Sequence, residues 1–274
     1  MVAKKTVPPN RSETTATIRL NRYLAMAGLG SRRTCDQYIR EGRVKINGEV
    51  VTRLGVQVDP QRDVVEFDGQ VVKAEQPMVY ILLHKPRRTV STVKDERGRR
   101  TVVQLVGLGT RIFPVGRLDY NTTGALLLTN DGELTYYLTH PKFEVKKIYR
   151  VLLDKVIRPI ALHQFQTGIE LDGRRTAPCK AREIRIIDNR SYLEVELHEG
   201  RNRQIRRMFA SLGYEVEELH RLEFAGLRVS DLKPGEWREL TPEEVQSLKK
   251  LIAEQKSRID QNDTDGEKEN QNRH

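Results

Sequence analysis

Residues 114–134 read PVGRLDYNTTGALLLTNDGEL. The run GALLLT at 124–129 is short, apolar and bounded on both sides by turn-forming residues. That combination predicts a buried strand, closed by a turn at Asn130-Asp131-Gly132. Asp119 then lies in a loop at the head of the strand, between Arg117 and a Tyr-Asn-Thr-Thr-Gly stretch. A lone carboxylate on such a loop is well placed for a site, because a rigid strand fixes the loop's base. Arg117 would favour its charged form by proximity. The same residues also fit a surface turn, and residue types alone leave both readings open.

Outward from this strand, VYILLHK (79–85) and KIYRVLL (147–153) are two more short strands rich in β-branched and aromatic residues. YLEVELH (192–198) alternates as a half-buried strand does. Leu162 and Phe165 mark a short helix after Pro159. Ile205, Met208, Phe209 and Leu212 follow helical spacing up to Gly213. A Val/Leu-rich strand, EVEELHRLEF (215–224), comes next, and Thr241-Pro242 opens a final helix. Intermixed strands and helices with hairpin-like spacings predict an α+β fold with a mixed or mostly antiparallel sheet and flanking helices.

A smaller module precedes it. Leu20, Leu24 and Ala27 form one helical stripe, which Gly28 and Gly30 terminate. Ser31 is an N-cap for a second helix with Cys35, Tyr38 and Ile39 on its apolar face, ended by Gly42. VKINGEVV (44–51) then carries Asn47-Gly48 between two apolar runs, a type I′ hairpin signal. The expected order is helix, helix, hairpin. Residues 57–77, with Asp68-Gly69 and Pro77, read as the end of this module and a connector. The expected divisions are an unstructured N-terminus at 1–17, the small module and linker at 18–77, the large domain at 78–254, and an unstructured acidic tail at 255–274.

The chain of 274 residues has 48 Lys and Arg against 38 Asp and Glu, a net charge of +10. Residues 260–274 alone carry five acids, two bases and no apolar residue, so the remainder stands at +13. Residues 18–54 hold eight bases and three acids. Arg22, Arg32, Arg33, Arg40, Arg43 and Lys45 lie off the apolar stripes, where they suit phosphate contacts or an ordinary solvated face. No run approaches the ~18 apolar residues of a membrane span. Two cysteines are too few for a disulfide scaffold or a Cys-only zinc site. The six histidines show no ligand spacing, and no secretion signal, phosphate loop or hydrolase motif appears. A soluble, cytoplasmic protein with an anionic partner is expected.

Two further stretches bear on chemistry. EGRNRQIRRMF (199–209) crowds Arg201, Arg203, Arg206 and Arg207 at a helix start, with Arg203, Arg206 and Arg207 on one face. The macrodipole disfavours cations there, so a carboxylate or phosphate should compensate. Tyr149, flanked by Lys146, Lys147 and Arg150, could stack on a base, or be core.

The small module, LNRYLAMAGLGSRRTCDQYIREGRVKINGEVV, resembles the ribosomal-protein-S-four-type RNA-binding domain. The motif G-R-L-D-x-x-T-x-G followed by A-L-L-L-T-N-D-G, the K-x-Y-x-V stretch and E-G-R-x-x-Q-I-R-R-M-F resemble the bacterial rRNA pseudouridine synthases of the RsuA type, with Ala125 in place of the usual Leu. The form E-G-R-N-R is closer to the large-subunit branch. The resemblance implies Asp119 as the essential carboxylate, Tyr149 as the aromatic that stacks on the target base, and Arg206 as the basic partner of the aspartate. It implies that Arg117 helps displace the uridine. It makes Arg203, Arg207, Arg22, Arg32, Arg33, Arg43 and Lys45 RNA contacts, and Cys35 a core residue. It implies no cofactor or metal, and as partner ribosomal RNA, 23S by branch, free or in pre-ribosomal particles, acted on by a monomer. A non-catalytic RNA-binding assembly factor and a tRNA-directed synthase are the alternatives.

Overall fold

The computed structural model describes residues 17–74 and 76–271. The unstructured N-terminus expected at 1–17 therefore lies, but for Thr17, outside the described residues. The chain divides into two compact units between Pro77 and Met78.

In the first unit, β1 (Ile18–Arg19) leads into α1 (Leu20–Met26), and α2 (Arg32–Arg40) follows. The Ser31 hydroxyl accepts from the Thr34 N–H and caps α2 as the sequence suggests. β2 (Val44–Ile46) and β3 (Glu49–Val50) form the hairpin, with Asn47 at φ 52° and Gly48 at φ 86°. The segment read as a connector is more than that. It supplies β4 (Gln57–Val58), which pairs with β1. A second hairpin, β5 (Val65–Phe67) and β6 (Gln70–Val71), turns at Asp68-Gly69 and completes a sheet of order β3-β2-β5-β6. Leu20, Leu24, Cys35, Ile39, Val44 and Val65 close the core. Cys35 is wholly buried among them.

The second unit is built on a nine-stranded sheet. Its first members are β7 (Tyr80–Lys85), β8 (Phe113–Pro114) and β9 (Thr123–Thr129), with α3 (Val102–Val106) between β7 and β8. α4 (Gly132–Thr139) leads to β10 (Lys147–Leu153), and α5 (Pro159–Thr167) follows. A two-stranded ribbon, β11 (Glu170–Leu171) with β12 (Arg174–Arg175), precedes β13 (Lys180–Ile187) and β14 (Arg190–Leu197). After α6 (Gln204–Ser211) come β15 (Val216–Phe224), β16 (Leu227–Arg228), β17 (Trp237–Glu239) and α7 (Pro242–Gln271). The main order is β13-β14-β10-β15-β9-β7-β17. β15 and β9 run parallel and the other pairs antiparallel, so the sheet is mixed.

Both faces of this sheet are covered, which explains the unbroken apolar runs in β7 and β9. Ile81, Leu83, Leu126 and Leu128 pack with Val102 of α3, Phe165 of α5 and Phe209 of α6. Leu82, Ala125 and Leu127 pack oppositely with Leu134 and Leu138 of α4 and Leu248 and Ile252 of α7. Phe165 and Phe209 stack at 4.1 Å between centroids.

Three expectations are corrected. Asn130-Asp131-Gly132 does not simply close a strand: the Asp131 carboxylate accepts from the Glu133 and Leu134 N–H groups and starts α4. Arg203 does not share a helical face with Arg206 and Arg207, because it precedes α6 in a left-handed conformation (φ 49°). The acidic tail expected to be unstructured from 255 continues α7 to Gln271. Thr241 and Glu244 cap that helix reciprocally, and Leu248 and Ile252 anchor it.

Candidate active site

The loop between β8 and β9 carries Asp119. Its turn is closed by the Thr122 N–H donating to the Asp119 carbonyl at 3.0 Å. The Ser91 hydroxyl fixes the preceding residue, donating to the Leu118 carbonyl at 2.9 Å and accepting from the Leu118 N–H at 3.1 Å. Lys85, at the end of β7, fixes the rest. Its side chain is fully buried, and Nζ lies 3.0 Å from the Pro86 and Asp119 carbonyl oxygens, 3.4 Å from that of Tyr120 and 2.9 Å from that of Thr122. Burial pulls this ammonium down to about 8, against the attraction of Asp119. Lys85 and Ser91 were not singled out from the sequence. A lysine ending an apolar strand was their only signal.

The Asp119 side chain opens into a cleft of about 80 Å³ walled by Arg117, Thr122, Tyr149, Arg203, Ile205 and Leu219 among others. The nearest cation is Arg203, with Nη1 4.0 Å from the Asp119 carboxylate. It stands just ahead of α6 in a left-handed backbone conformation. Arg206, the expected partner, donates from Nη1 to the Val216 carbonyl at 2.6 Å. Burial and then Arg203 lower its affinity for its proton, while Asp119 raises it. Arg206 therefore feels the Asp119 charge without forming an ion pair with it.

Tyr149 sits in β10 between Val195 of β14 and Arg221 of β15, 9% exposed, with part of its surface on the cleft. Ile205 and Leu219, both buried, supply further apolar wall. A flat group entering here would meet an aromatic, two aliphatics and a carboxylate. The Thr122 hydroxyl is buried in the same wall without a hydrogen-bond partner, an orphan that a ligand could satisfy.

The other expected contacts separate into two kinds. Arg117 is exposed on the cleft with no protein partner among the described residues. Arg32 and Arg33 are exposed at the start of α2. Burial, then Arg22 and Arg19, weaken the hold of Arg32 on its proton, so these cations crowd one another. Lys45 is half-buried in β2. Arg43 and Arg207, by contrast, are engaged within the protein. Arg43 Nε donates to Asp68 at 2.9 Å, and its guanidinium stacks at 4.5 Å on Tyr38 and 4.6 Å on Phe67. Arg207 grips Asp172 through two bonds of 2.9 and 2.6 Å. Among the described residues no group of three His, Cys, Asp or Glu could hold a metal ion, and no helix is long and apolar enough to cross a membrane.

The chain is similar to known proteins over most of its length. Residues 79–211 match the RNA pseudouridylate synthase family, and residues 18–64 match the S4 domain. Ribosomal large subunit pseudouridine synthase B of Bacillus subtilis (strain 168) is 44% identical over 236 residues, covering 85% of this chain and 96% of that protein. The dual-specificity RNA pseudouridine synthase RluF of Escherichia coli (strain K12) is 36% identical over 246 residues, covering 89% and 82%. A crystal structure of a pseudouridylate synthase superposes with a TM-score of 0.60 at 32% identity, over 84% of this chain and 99% of that one.

Proposed function

The chain belongs to the RNA pseudouridylate synthase family, with an S4 RNA-binding domain ahead of the synthase domain, and on that premise we propose that it isomerises one uridine of 23S ribosomal RNA with Asp119 as the essential carboxylate. The supporting observation is the cleft that brings Asp119, Tyr149 and Arg203 onto one surface. The reaction breaks the N1–C1′ bond of the uridine, turns the uracil, and joins C5 to C1′. The proton lost from C5 is balanced by the one gained at N1, so the formula is unchanged.

The target must first leave its helix, which costs a few kcal/mol. Arg117, exposed at the cleft mouth, fills the vacated space, and basic contacts along the RNA backbone offset the cost. Tyr149 stacks on the freed uracil, with Ile205 and Leu219 completing an apolar slot. Asp119 acts on the sugar or base as an ionised carboxylate.

Mapping of ribosomal RNA pseudouridines by carbodiimide treatment and primer extension, with and without this protein, tests the reading. One 23S position is expected to appear with the wild-type chain and not with Asp119→Ala, while RNA binding by that variant persists. Full activity of Asp119→Ala overturns the role of Asp119. A new pseudouridine confined to tRNA overturns the substrate.

A further inference from the structure

A second cavity, of about 170 Å³, adjoins the Asp119 cleft and shares Arg117, Tyr149 and Arg201 with it. Two cations are sunk in its wall, Lys147 of β10 and Arg221 of β15. Arg221 is 2% exposed. Its Nε donates to the Ala125 carbonyl at 2.7 Å, its guanidinium lies 4.7 Å from the Phe224 centroid and interacts with the Tyr149 side chain, and its Nη2 is buried without a hydrogen-bond partner. The Lys147 ammonium donates to the Val145 carbonyl at 2.7 Å and forms no ion pair among the described residues. Burial and the charge of Arg221 pull Lys147 down to about 8, against the attraction of Glu199.

The cavity's one acid is already occupied. Glu199 accepts from the Ala177 N–H at 3.1 Å, from Arg201 Nε at 3.3 Å and from Gln204 Nε2 at 2.5 Å. A buried guanidinium beside a half-buried ammonium, with the cavity's one carboxylate bonded elsewhere, is an expensive arrangement. An uncharged base entering the cavity would leave that expense in place. An anion with several acceptor oxygens would remove it, taking the orphan Nη2 and the remaining ammonium hydrogens in charge-assisted bonds.

We infer that this cavity binds a backbone phosphate of the RNA strand that carries the target uridine, with Lys147 and Arg221 as its counter-charges. The inference rests on the RNA reading above. Because Tyr149 and Arg117 wall both spaces, the phosphate held is one adjoining the nucleotide in the Asp119 cleft, and the site sets the register in which the strand presents that nucleotide.

The test uses the RNA stem-loop mapped as substrate, with methylphosphonate replacing one linkage at a time within two nucleotides of the uridine. For the wild-type chain, neutralising one linkage should weaken binding about tenfold. Lys147→Met should weaken binding of the unmodified RNA by a similar factor, be indifferent to that linkage, and make the slope of log Kd against log salt shallower by about one. Lys147→Arg should restore both. An unchanged affinity and slope for Lys147→Met overturns the phosphate site. So does a variant that binds weakly yet keeps the wild-type response to every linkage, which marks a structural role. If inorganic phosphate alone raises the Tm of the wild type and not of Lys147→Met, and no linkage matters, the cavity holds a free anion and the RNA assignment falls. Pseudouridine formation by the wild type is scored alongside. Its absence from every RNA overturns the functional reading, whereas its presence with a silent Lys147 overturns the phosphate site alone.

Discussion

Lys85 holds the Asp119 loop in place by hydrogen bonds to its carbonyls, three of the four contacts falling on residues 119–122. The charged ammonium brings three hydrogens to that set and the neutral amine only two. Burial lowers it from the ordinary range of a lysine to about 8. As pH rises through about 8, the folded protein loses this proton while the unfolded chain keeps it. The contribution of Lys85 to global stability therefore rises across that window, even as the loop loses a donor. The expected outcome is a kcat that declines above about pH 8 with no matching loss of Tm. Lys85→Met should lower kcat by about 10- to 100-fold, the range for a displaced catalytic group, and abolish the alkaline limb of the profile. A variant that keeps wild-type kcat and pH dependence would show that the loop holds its geometry without Lys85. The same scale shows where sequence reading stops. From residue types alone Asp119 fitted a site or a surface turn and Tyr149 a stacking aromatic or core, and only the family resemblance singled them out; Arg203 lies beside Asp119 with a left-handed backbone, which helical spacing does not encode.

At the scale of elements, the strands were legible because their apolar runs are nearly continuous, and α6 because its stripe keeps the helical period. α4 was hidden by its own start: Asn-Asp-Gly is both a turn signal and a cap, and the distinction lies in Leu134 and Leu138 finding a face of the sheet to cover. The parallel contact of β9 with β15 was not readable, since nothing local to either strand names its partner. Gly124 marks that contact. Its φ is +109°, and a Cβ there would lie 2.1 Å from the Arg221 carbonyl oxygen and 2.6 Å from the Arg221 nitrogen. Both are backbone atoms of a central strand, so neither can move aside cheaply. Gly124→Ala is expected to destabilise the fold by about 2–4 kcal/mol, at the upper end for single substitutions. Urea unfolding of the variant measures this, and a shift within about 0.5 kcal/mol would mean that the two strands separate there without penalty.

Across the whole molecule, the net charge of +10 is a sum over regions with different work. Residues 260–274 subtract from it, and many arginines are already paired with carboxylates of the protein, as Arg43 is with Asp68 and Arg207 with Asp172. The excess that remains uncompensated is what an RNA backbone can neutralise. On α2 it includes Arg32 and Arg33, which are exposed, with Arg32 crowded by Arg22 and Arg19. Each phosphate contact releases counterions, so affinity should fall steeply as salt rises. Reversing Arg32 and Arg33 together (Arg32→Glu with Arg33→Glu) should weaken RNA binding at low salt by tenfold or more and make the salt slope shallower by about one to two. Arg43→Gln should behave differently. It breaks the Asp68 bond and the stacking on Tyr38 and Phe67, so it should lower the Tm while leaving the salt slope near that of the wild type. Titrations at several salt concentrations, run beside thermal unfolding, separate the two. If all three substitutions shift the slope equally, the pairing seen for Arg43 does not persist on RNA, and position on the surface, rather than freedom from protein partners, decides which arginines contact the backbone.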